Sequence, residues 1–419
     1  MAETNDARAA QPPPPPPAPR HSLSHQKKTP RPKSVPPNLT ATGTFLAKAD
    51  GVLAGQAVAD RVFALVDPSV TLTWRKRDGG ALSAGEAFAE ARGPARSLLL
   101  AERVALNFMQ RMSGVATATA RMVAEVDRGA RLAAEVAAAG GEGGGEHRRR
   151  RRPCRVLETR KTAPGLRLFD KWAVLIGGGS NHRMGLFDMV MVKDNHVAAA
   201  GGVAKAVAAV AEYLRGADGR AAAARLAAAK GGAGAGEEAA LRIPVEVEVR
   251  TLDEVDELLE VLRAARGAGG GARGGGGGGG GGGEVVTRVM LDNMVRRLSP
   301  AEEAEEEEEA EEEEEAEEEE GRRRGGGGAG AAEAPLPQQQ RQRRQLLRAL
   351  ERAARVDCSA LRAAVARIEA EFPSLETEAS GNVTEATAAA VASTGVAFVS
   401  VGALTHSVAA LDVSFNIET

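Results

Sequence analysis

The sequence predicts an α/β protein in which a small α+β module precedes a parallel sheet or barrel, with low-complexity insertions between elements. Strand-like and helix-like segments alternate through the second half of the chain, a pattern typical of parallel sheets with crossover helices. Stretches rich in Gly, Glu or Arg interrupt this alternation where surface loops are expected. The core must rest on aliphatic residues, because only 3% of the 419 residues are aromatic.

Residues 1–42 form a Pro-rich extension that includes PPPPPP at 12–17. Such a composition buries too little apolar surface to order itself, so we expect disorder. The segment is rich in Ala, Pro, Arg and Ser, and through residue 40 its only acidic residues are Glu3 and Asp6. This suits an organelle transit peptide as well as a plain disordered extension. A plastid and the cytoplasm therefore both remain open.

Residues 43–100 predict the small α+β module. The stretch GTFLAKADGVLAGQAVADRVFALV indicates a strand, a turn, a short strand and a helix, and SVTLTW alternates like a further strand. Residues 101–126 follow with a long helical pattern that we expect to break near Ser113 and Gly114.

The alternating part begins after this helix. Its predicted strands are Arg155–Glu158, Met189–Val192, Val245–Val249, Val289–Leu291, Leu375–Glu378 and Ala397–Val401. Its predicted helices are 203–214, 252–264, 343–370 and 384–393. The insertions are placed at 140–152, 215–239, 266–284 and 301–345, since loops tolerate added length at small entropic cost.

Charge and cysteine content limit the classes of partner. Without the 16 glutamates of residues 301–320, 41 acidic residues face 54 basic ones, which suits an anionic ligand. Cys154 and Cys358 are far apart in sequence, so neither a disulfide framework nor a zinc site is predicted. No apolar run reaches the roughly 18 residues that a membrane span needs.

Cationic side chains flank one apolar strand in GGGSNHRMGLFDMVMVKDNH, residues 177–196. Met189, Met191 and Lys193 share a strand face, and Lys193 emerges at the carboxyl end, where parallel α/β folds bind ligands. His182 and Arg183 precede the strand closely enough to fold over the same end. Such cations suit carboxylates or phosphates. The alternative is a surface salt-bridge patch.

Two further strand ends carry polar residues. Thr159, Arg160, Lys161 and Thr162 follow the strand at 155–158, although an ordinary charged loop would look the same. In VEVEVR, residues 245–250, the valines point one way while Glu246, Glu248 and Arg250 point the other. Buried carboxylates must be paired or metal-bound, so Glu248 and Asp292 of VMLDN could hold Mg²⁺ and ribose hydroxyls. The alternative is an edge strand with one wet face.

Small residues follow the last two predicted strands in EASGNVTE and SVGALTHS, residues 378–385 and 400–407. Backbone N–H groups there, with the Ser380 hydroxyl, could hold a phosphate, which barrels often bind after their last strands. Glycine turns of purely structural use are the alternative.

Taken in order, ERVALNFMQRMSG, ETRKTAPGLRLFDKWA, the 177–196 stretch, VEVEV, MLDNM, ASGN and SVGALTHSVAALD closely resemble the quinolinate phosphoribosyltransferase family. The resemblance implies a pentosyltransferase that converts quinolinate and phosphoribosyl pyrophosphate to nicotinate mononucleotide, carbon dioxide and pyrophosphate with Mg²⁺. This is the entry step of de novo NAD synthesis.

The family fold implies an N-terminal α/β sandwich at 43–113, joined by a C-terminal strand at about 410–419, and an open α/β barrel at 114–409. It also implies a head-to-tail homodimer or higher oligomer with shared active sites, and no nucleic acid or membrane partner is expected.

Carried over by motif position, Arg160, His182, Arg183 and Lys193 resemble the ligands of the quinolinate carboxylates. Arg103 resembles an arginine contributed across the dimer, and Lys161 a residue near pyrophosphate and pyridine. Glu248 and Asp292 resemble the pair that handles Mg²⁺ and ribose, directly or through water and substrate. The residues that resemble the 5′-phosphate loops are Ser380, Gly381, Gly402 and Ala403. Lys161, Lys193, Glu248 and Asp292 are the candidate catalytic residues.

The chain departs from the family pattern at two places. Pro-rich sequence at 11–40 replaces the helix that usually precedes the first sandwich strand. Asn382 stands where many members have a second Gly, and we expect the turn to survive because Asn tolerates left-handed geometry.

Two rival functions remain. One is a related phosphoribosyltransferase with another anionic acceptor, whose pocket would lack some of Arg160, His182, Arg183 and Lys193. The other is a non-catalytic scaffold that binds through the poly-Glu and Arg-rich insertions, against which the intact Glu248 and Asp292 argue.

Overall fold

A computed structural model describes residues 35–139, 153–229, 243–268, 285–305, 308 and 338–419. The strands are β1 Thr40–Ala47, β2 Gly51–Val52, β3 Thr71–Trp74, β4 Ala81–Leu82, β5 Ala87–Pro94, β6 Arg155–Leu157, β7 Val190–Val192, β8 Val245–Val249, β9 Arg288–Asp292, β10 Arg296–Arg297, β11 Val356–Asp357, β12 Glu376–Ser380, β13 Phe398–Ser400 and β14 Val413–Glu418. The helices are α1 Gln56–Val66, α2 Ala95–Ala139, α3 Arg167–Ile176, α4 Asp194–Ala200, α5 Val203–Arg215, α6 Ala217–Ala229, α7 Leu252–Ala268, α8 Gln338–Ala354, α9 Ser359–Glu371, α10 Ala388–Ser393 and α11 Ala403–His406.

The N-terminal part is an antiparallel sheet of order β14-β1-β5-β3, on which α1 and α2 pack. Its core holds Phe45, Phe63 and Phe88, with the Phe415 ring centroid 4.6 Å from that of Phe45. The last strand of the chain therefore returns to the first, as expected. Strand β1 begins at Thr40, inside the segment predicted to be disordered.

Helix α2 runs unbroken for 45 residues through Ser113 and Gly114, so the predicted break is wrong. Gly114 is instead a point of close approach, because a Cβ there would lie 2.2 Å from the carbonyl oxygen of Ala409. The Ser113 hydroxyl accepts a hydrogen bond from the backbone N–H of Ala54 at 2.9 Å. Both residues serve tertiary packing within a continuous helix.

The second sheet is parallel, with order β6-β13-β12-β9-β8-β7. Strands β6 and β7 follow one another in sequence yet occupy its two edges, which is the strand order of a barrel left open between them. A single parallel bridge, Leu157 to Ser180, adjoins that opening. The predicted α/β architecture with a parallel-stranded second domain is thus confirmed.

The two faces of β8 differ, as the VEVEVR pattern predicts. Val245, Val247 and Val249 belong to an aliphatic core with residues of the surrounding helices. Glu246 and Glu248 face the other way and are also buried. The alternative of an edge strand with one wet face is therefore wrong, and the barrel interior carries buried charge.

Element limits differ from prediction mainly at insertions. The helix predicted at 343–370 is two helices separated by β11, with Arg355 in left-handed geometry between them at φ 53°. The first part of the insertion predicted at 215–239 is helix α6. Helix α7 ends at Ala268, inside the insertion predicted at 266–284. Most of the remaining insertion sequence and residues 1–34 lie outside the described residues.

Among the described residues, no single helix has the length and apolar composition of a membrane span. The bent pair α4 and α5 meets that test only jointly, across a 93° angle.

Candidate active site

The register of the parallel sheet aligns the polar strand ends. Leu157 lies beside Ser400, Ser400 beside Ser380, and Ser380 beside Asp292. Since all these strands run the same way, the loops that follow them open at one edge of the barrel. The motifs that are far apart in sequence therefore meet in space.

An acidic pair with two cations forms one side of this edge. The Lys193 ammonium donates to Glu248 Oε2 at 2.7 Å, and Arg250 lies 3.5 Å from Glu248 Oε1 and 3.7 Å from Asp292 Oδ2. Arg250 also pairs with Asp194, at the start of α4. The structure thus brings the predicted residues Lys193, Glu248 and Asp292 together.

The environment of Asp292 disfavours its charged form. Burial and the neighbouring Glu248 carboxylate raise the pKa of Asp292, while the Ser380 hydroxyl, Arg250 and Lys193 act in the opposite direction. Because burial is the larger cause and the Glu248 carboxylate the smaller one, a cation bound between the two carboxylates would favour the charged form of Asp292.

Two arginines form the other side. Arg160 follows β6 and lies near Arg183. Burial is the main cause of the lowered pKa of Arg183, and the positive charge of Arg160 lowers that pKa further. Arg160 forms no salt bridge with any described residue. Arg183 is 9% exposed, and its guanidinium donates to the Met189 carbonyl at 3.3 Å. Two neighbouring arginines, one buried and one partly exposed, are suited to bind an anion.

His182 faces the barrel interior. Its Nε2 lies 3.1 Å from Glu246 and 3.5 Å from Glu378, and its Nδ1 accepts the Arg183 backbone N–H at 2.7 Å. Burial alone would lower the pKa of His182, but the two carboxylates raise this pKa to about 9. The Nδ1 contact needs a free lone pair and opposes that rise. With both ring nitrogens engaged, His182 would have to exchange a partner to bind a carboxylate directly.

The last loops lie beside Lys161. The Thr405 hydroxyl donates to the Lys161 carbonyl at 2.8 Å, and a Cβ on Gly402 would lie 3.3 Å from Lys161 Cδ. Gly381 has φ 84°, and a Cβ there would lie 2.2 Å from Asn293 Oδ1. Asn382 adopts φ 55°, which confirms that the turn keeps its left-handed geometry. Ser380 and Gly381 lie at the end of β12, and Gly402 and Ala403 follow the neighbouring β13, so the two turns lie at the same end of the sheet.

Arg103 does not join these residues within the chain. It lies on α2 with 69% of its side chain exposed, and its salt-bridge partner is the adjacent Glu102 at 3.8 Å.

Sequence reasoning placed Glu246 and Arg250 on the polar face of β8 but overlooked other charged residues behind the strand ends. Glu378 is fully buried against His182, and Lys171 and Glu158 form a buried ion pair. The signal for Lys171 was present, since RLFDKWAVLI places a charged pair within an otherwise apolar helix. Cys154 and Cys358 are buried, which raises the pKa of each thiol to about 12 and leaves both unreactive.

Comparisons with known proteins agree with this geometry. A family model for the N-terminal domain of quinolinate phosphoribosyl transferase matches residues 27–113, and one for the C-terminal domain matches 145–218 and 353–416. The chain is 43% identical over 266 residues to quinolinate phosphoribosyltransferase (decarboxylating) 1b of Nicotiana tabacum, covering 64% of this chain and 58% of that protein. It is 43% identical over 262 residues to a chloroplastic nicotinate-nucleotide pyrophosphorylase (carboxylating) of Arabidopsis thaliana, covering 62% of this chain and 57% of that protein.

The solved structures agree as well. The crystal structure of NadC from Streptococcus pyogenes superposes with a TM-score of 0.55 at 27% identity, covering 92% of this chain and 88% of that one. The chain spans less than three fifths of the length of the plant relatives named above. Because both domain models of one family match in order, and together cover more than half of the residues, the chain belongs to the quinolinate phosphoribosyltransferase family.

Proposed function

We propose that the protein transfers the phosphoribosyl group of phosphoribosyl pyrophosphate to quinolinate with loss of carbon dioxide, as a pentosyltransferase of de novo NAD synthesis. The products are nicotinate mononucleotide, carbon dioxide and pyrophosphate. The observation that carries the proposal is the convergence of an arginine cluster and an acidic pair at one barrel edge. Arg160 and Arg183 lie on one side, and Glu248 and Asp292 on the other.

The arginine side suits a dicarboxylated pyridine. Arg160 and Arg183 repel each other, and a bound carboxylate would relieve that repulsion while accepting charge-assisted hydrogen bonds. Lys193 stands at the junction with the acidic side, where it could contact both the acceptor and Glu248. His182 supports this side through its contact with the Arg183 backbone.

The acidic side suits the ribose and a divalent cation. Two carboxylates at strand ends offer the oxygen ligands that Mg²⁺ prefers, and Glu248 and Asp292 are close enough for both to lie within 4 Å of Arg250. Glu248 and Asp292 would hold the ion directly or through water and substrate. When bound, Mg²⁺ would neutralise charge on the pyrophosphate.

The remaining loops suit the phosphates. Backbone N–H groups near Ser380, Gly381, Gly402 and Ala403, with the Ser380 hydroxyl, would bind the 5′-phosphate. Lys161 lies beside Gly402 and could contact the pyrophosphate.

The chemistry then needs no side-chain nucleophile. The pyridine nitrogen donates its lone pair to the anomeric carbon as the bond to pyrophosphate oxygen breaks and pyrophosphate departs with that pair. Glu248 and Asp292 stabilise the positive charge that develops on the ribose. The 2-carboxylate next leaves as carbon dioxide, its bonding electrons remain at the ring carbon beside the cationic nitrogen, and a proton then adds there. The residues chiefly position the two reactants.

We propose a homodimer in which Arg103 completes the site of the partner subunit. Leu100 and Val104 flank Arg103 on α2 and are 44% and 47% exposed, which is unusual for aliphatic side chains on a long helix. Leu168 and Trp172 on α3 are also exposed. Contact between the Phe108 and Phe169 rings, 5.0 Å apart, joins the two helices, so the apolar side chains form one surface suited to subunit contact.

We propose a plastid rather than the cytoplasm as the location. Support comes from residues 7–40, which contain no Asp or Glu, and from the chloroplastic relative of Arabidopsis thaliana. A fluorescent protein fused behind residues 1–42 should enter plastids. Uniform cytoplasmic fluorescence would contradict the proposal.

The test of the activity is quinolinate-dependent release of both pyrophosphate and carbon dioxide by the purified chain with Mg²⁺ and phosphoribosyl pyrophosphate. Both products should appear in equal amounts. Pyrophosphate release with nicotinate but not with quinolinate would favour the rival acceptor. Release with neither acceptor would favour a non-catalytic scaffold.

A further inference from the structure

A buried ion pair lies directly behind the arginine side of the site. Lys171 of α3 is 1% exposed and Glu158, the residue after β6, is 0% exposed, and their charged groups are in contact. Neither residue is among those that the family resemblance assigned to substrate. Removing two charges from water is unfavourable unless they are paired and further hydrogen-bonded, so the contacts of this pair bear on its role.

The additional hydrogen bonds of the pair all go to one short segment. The Lys171 ammonium donates to the His182 carbonyl at 3.0 Å, and Glu158 Oε1 accepts the His182 backbone N–H at 3.1 Å. With its NH₂ group turned toward these acceptors, Asn181 donates to Glu158 Oε2 and to the Lys171 carbonyl, each at 2.9 Å. The pair therefore holds both the N–H and the C=O of His182.

Arg183 receives its position from this anchored segment. Its backbone N–H is tied to His182 Nδ1, while its guanidinium reaches Met189 and Met191 across the loop. The loop between them carries the exposed tip residues Leu186 and Phe187, which give it little apolar anchoring of its own. The ion pair is thus the buried support of the segment that presents Arg183 beside Arg160.

We propose that Lys171 and Glu158 are positioning residues for the acceptor substrate: they fix the backbone at His182 so that Arg183 faces the quinolinate carboxylates. This inference rests on the proposed function. It assigns neither residue a contact with substrate. It predicts an effect on quinolinate that phosphoribosyl pyrophosphate does not share, since the Ser380–Gly381 turn proposed for the 5′-phosphate is tied instead to Asn293, whose backbone N–H donates to the Ser380 carbonyl at 2.9 Å.

The test compares the KM values of the two substrates. Lys171→Met alone would leave Glu158 as an unpaired buried charge and could unfold the chain, so the main variant is Lys171→Met with Glu158→Gln. We expect a rise of about tenfold in the KM for quinolinate, with the KM for phosphoribosyl pyrophosphate changed by less than about twofold. Asn181→Ala removes two of the anchoring hydrogen bonds without burying a charge and should shift the same KM in the same direction.

Val365→Ala is the matched control for lost stability. Val365 is 1% exposed in α9 and belongs to the same barrel core, so its truncation should lower the melting temperature with both KM values unchanged. Should the paired variant fail to fold, Asn181→Ala carries the comparison. Equal shifts of both KM values, or no shift in either, in an active chain would overturn the positioning role. A wild-type chain that releases no product from quinolinate would instead overturn the proposed function.

Discussion

Arg160 and Arg183 are close neighbours, and their mutual repulsion is tolerated in a site open at the barrel edge. Bringing like charges together is unfavourable without an anion. The arrangement therefore lowers the stability of the free protein and raises its affinity for an anionic ligand. Lys193 differs, because Glu248 already compensates its charge. The two kinds of cation should therefore respond differently to removal.

Arg160→Ala should reduce turnover of quinolinate by roughly 10- to 100-fold, the effect of losing one or two charge-assisted hydrogen bonds. Its melting temperature should not fall, because a repulsive contact is removed.

Lys193→Ala should also lose turnover with the fold intact, since Arg250 remains near Glu248. Arg263→Ala, which breaks an exposed pair with Glu371, is the control and should leave turnover unchanged. Unaltered turnover in Arg160→Ala or Lys193→Ala would remove that residue from the site.

The interior carboxylates give stability a definite pH dependence. Burial and the charge of Glu378 raise the pKa of Glu246 from 4.5 to about 7. Burial alone would lower the pKa of His182, but Glu246 and Glu378 raise this pKa from 6.5 to about 9. Both groups bind protons more tightly in the folded state. Their contribution to stability is therefore lost as pH rises, through 4.5 to 7 for Glu246 and through 6.5 to 9 for His182.

We expect the free energy of unfolding to fall on the order of 4 kcal/mol between pH 6 and pH 9 because of these groups. Urea unfolding at a series of pH values measures the fall. It should be smaller in Glu246→Gln, which removes one partner of His182. Equal pH slopes in the two proteins would show that this cluster does not set the dependence.

At the scale of single elements, helix α2 shows packing overriding local preference. Glycine near the middle of a helix normally signals weakness, because it is about 1 kcal/mol less favourable there than alanine. In α2, Gly114 and Gly129 instead allow other parts of the chain to approach, and a Cβ at either would meet a backbone carbonyl, at Ala409 and Ala389 respectively. Backbone atoms cannot move aside as a flexible side chain can.

Gly114→Ala should accordingly destabilise the protein by about 1–3 kcal/mol, the usual effect of overpacking, despite the gain in helix propensity. Gly267→Ala is the opposite case, since Gly267 lies in α7 with nothing near its missing Cβ. That substitution should be neutral or stabilise by up to about 1 kcal/mol. Denaturant midpoints of the two variants provide the comparison, and a stabilised Gly114→Ala would refute the close approach.

At the scale of the whole molecule, the buried apolar residues of the described ranges form three clusters that all include residues of α2, and the C-terminal strand belongs to the first of them along that helix. The antiparallel sheet and the barrel lie at successive parts of this helix, and β14 returns from the barrel to pair with β1. Arg103 lies on the same helix, and its side chain is mostly exposed. If the proposed dimer forms, the helix links one active site to the next.

Mixing two inactive variants tests the shared site. In a dimer of one Arg103→Ala and one Lys193→Ala subunit, the first subunit keeps its own Lys193 and receives an intact Arg103 from its partner. Refolding equal amounts together should restore about one quarter of wild-type activity, because half of the dimers are mixed and each has one complete site. Each variant refolded alone is the control. No recovery would contradict a site completed by the partner subunit.

Several of the residues that sequence reasoning identified lie at the carboxyl end of an apolar strand or just beyond it. Arg160, Lys193, Asp292 and Ser380 could be found because parallel strands end at a common edge, whichever strands are neighbours. Glu378 and Lys171 could not be assigned in this way, since they lie within a strand and a helix and their partners come from other elements.

The sequence alone determined the α/β class, most strands of the barrel and the residue types at their ends, because strand periodicity and buried apolar runs are local properties. Only the tertiary structure decided that α2 continues through Gly114, that His182 turns toward two buried glutamates, and that Lys171 and Glu158 support its backbone. These outcomes depend on which groups meet across the core. Burial makes an unpaired charge or a clash with backbone so unfavourable that long-range partners, and not local preference, fix the arrangement.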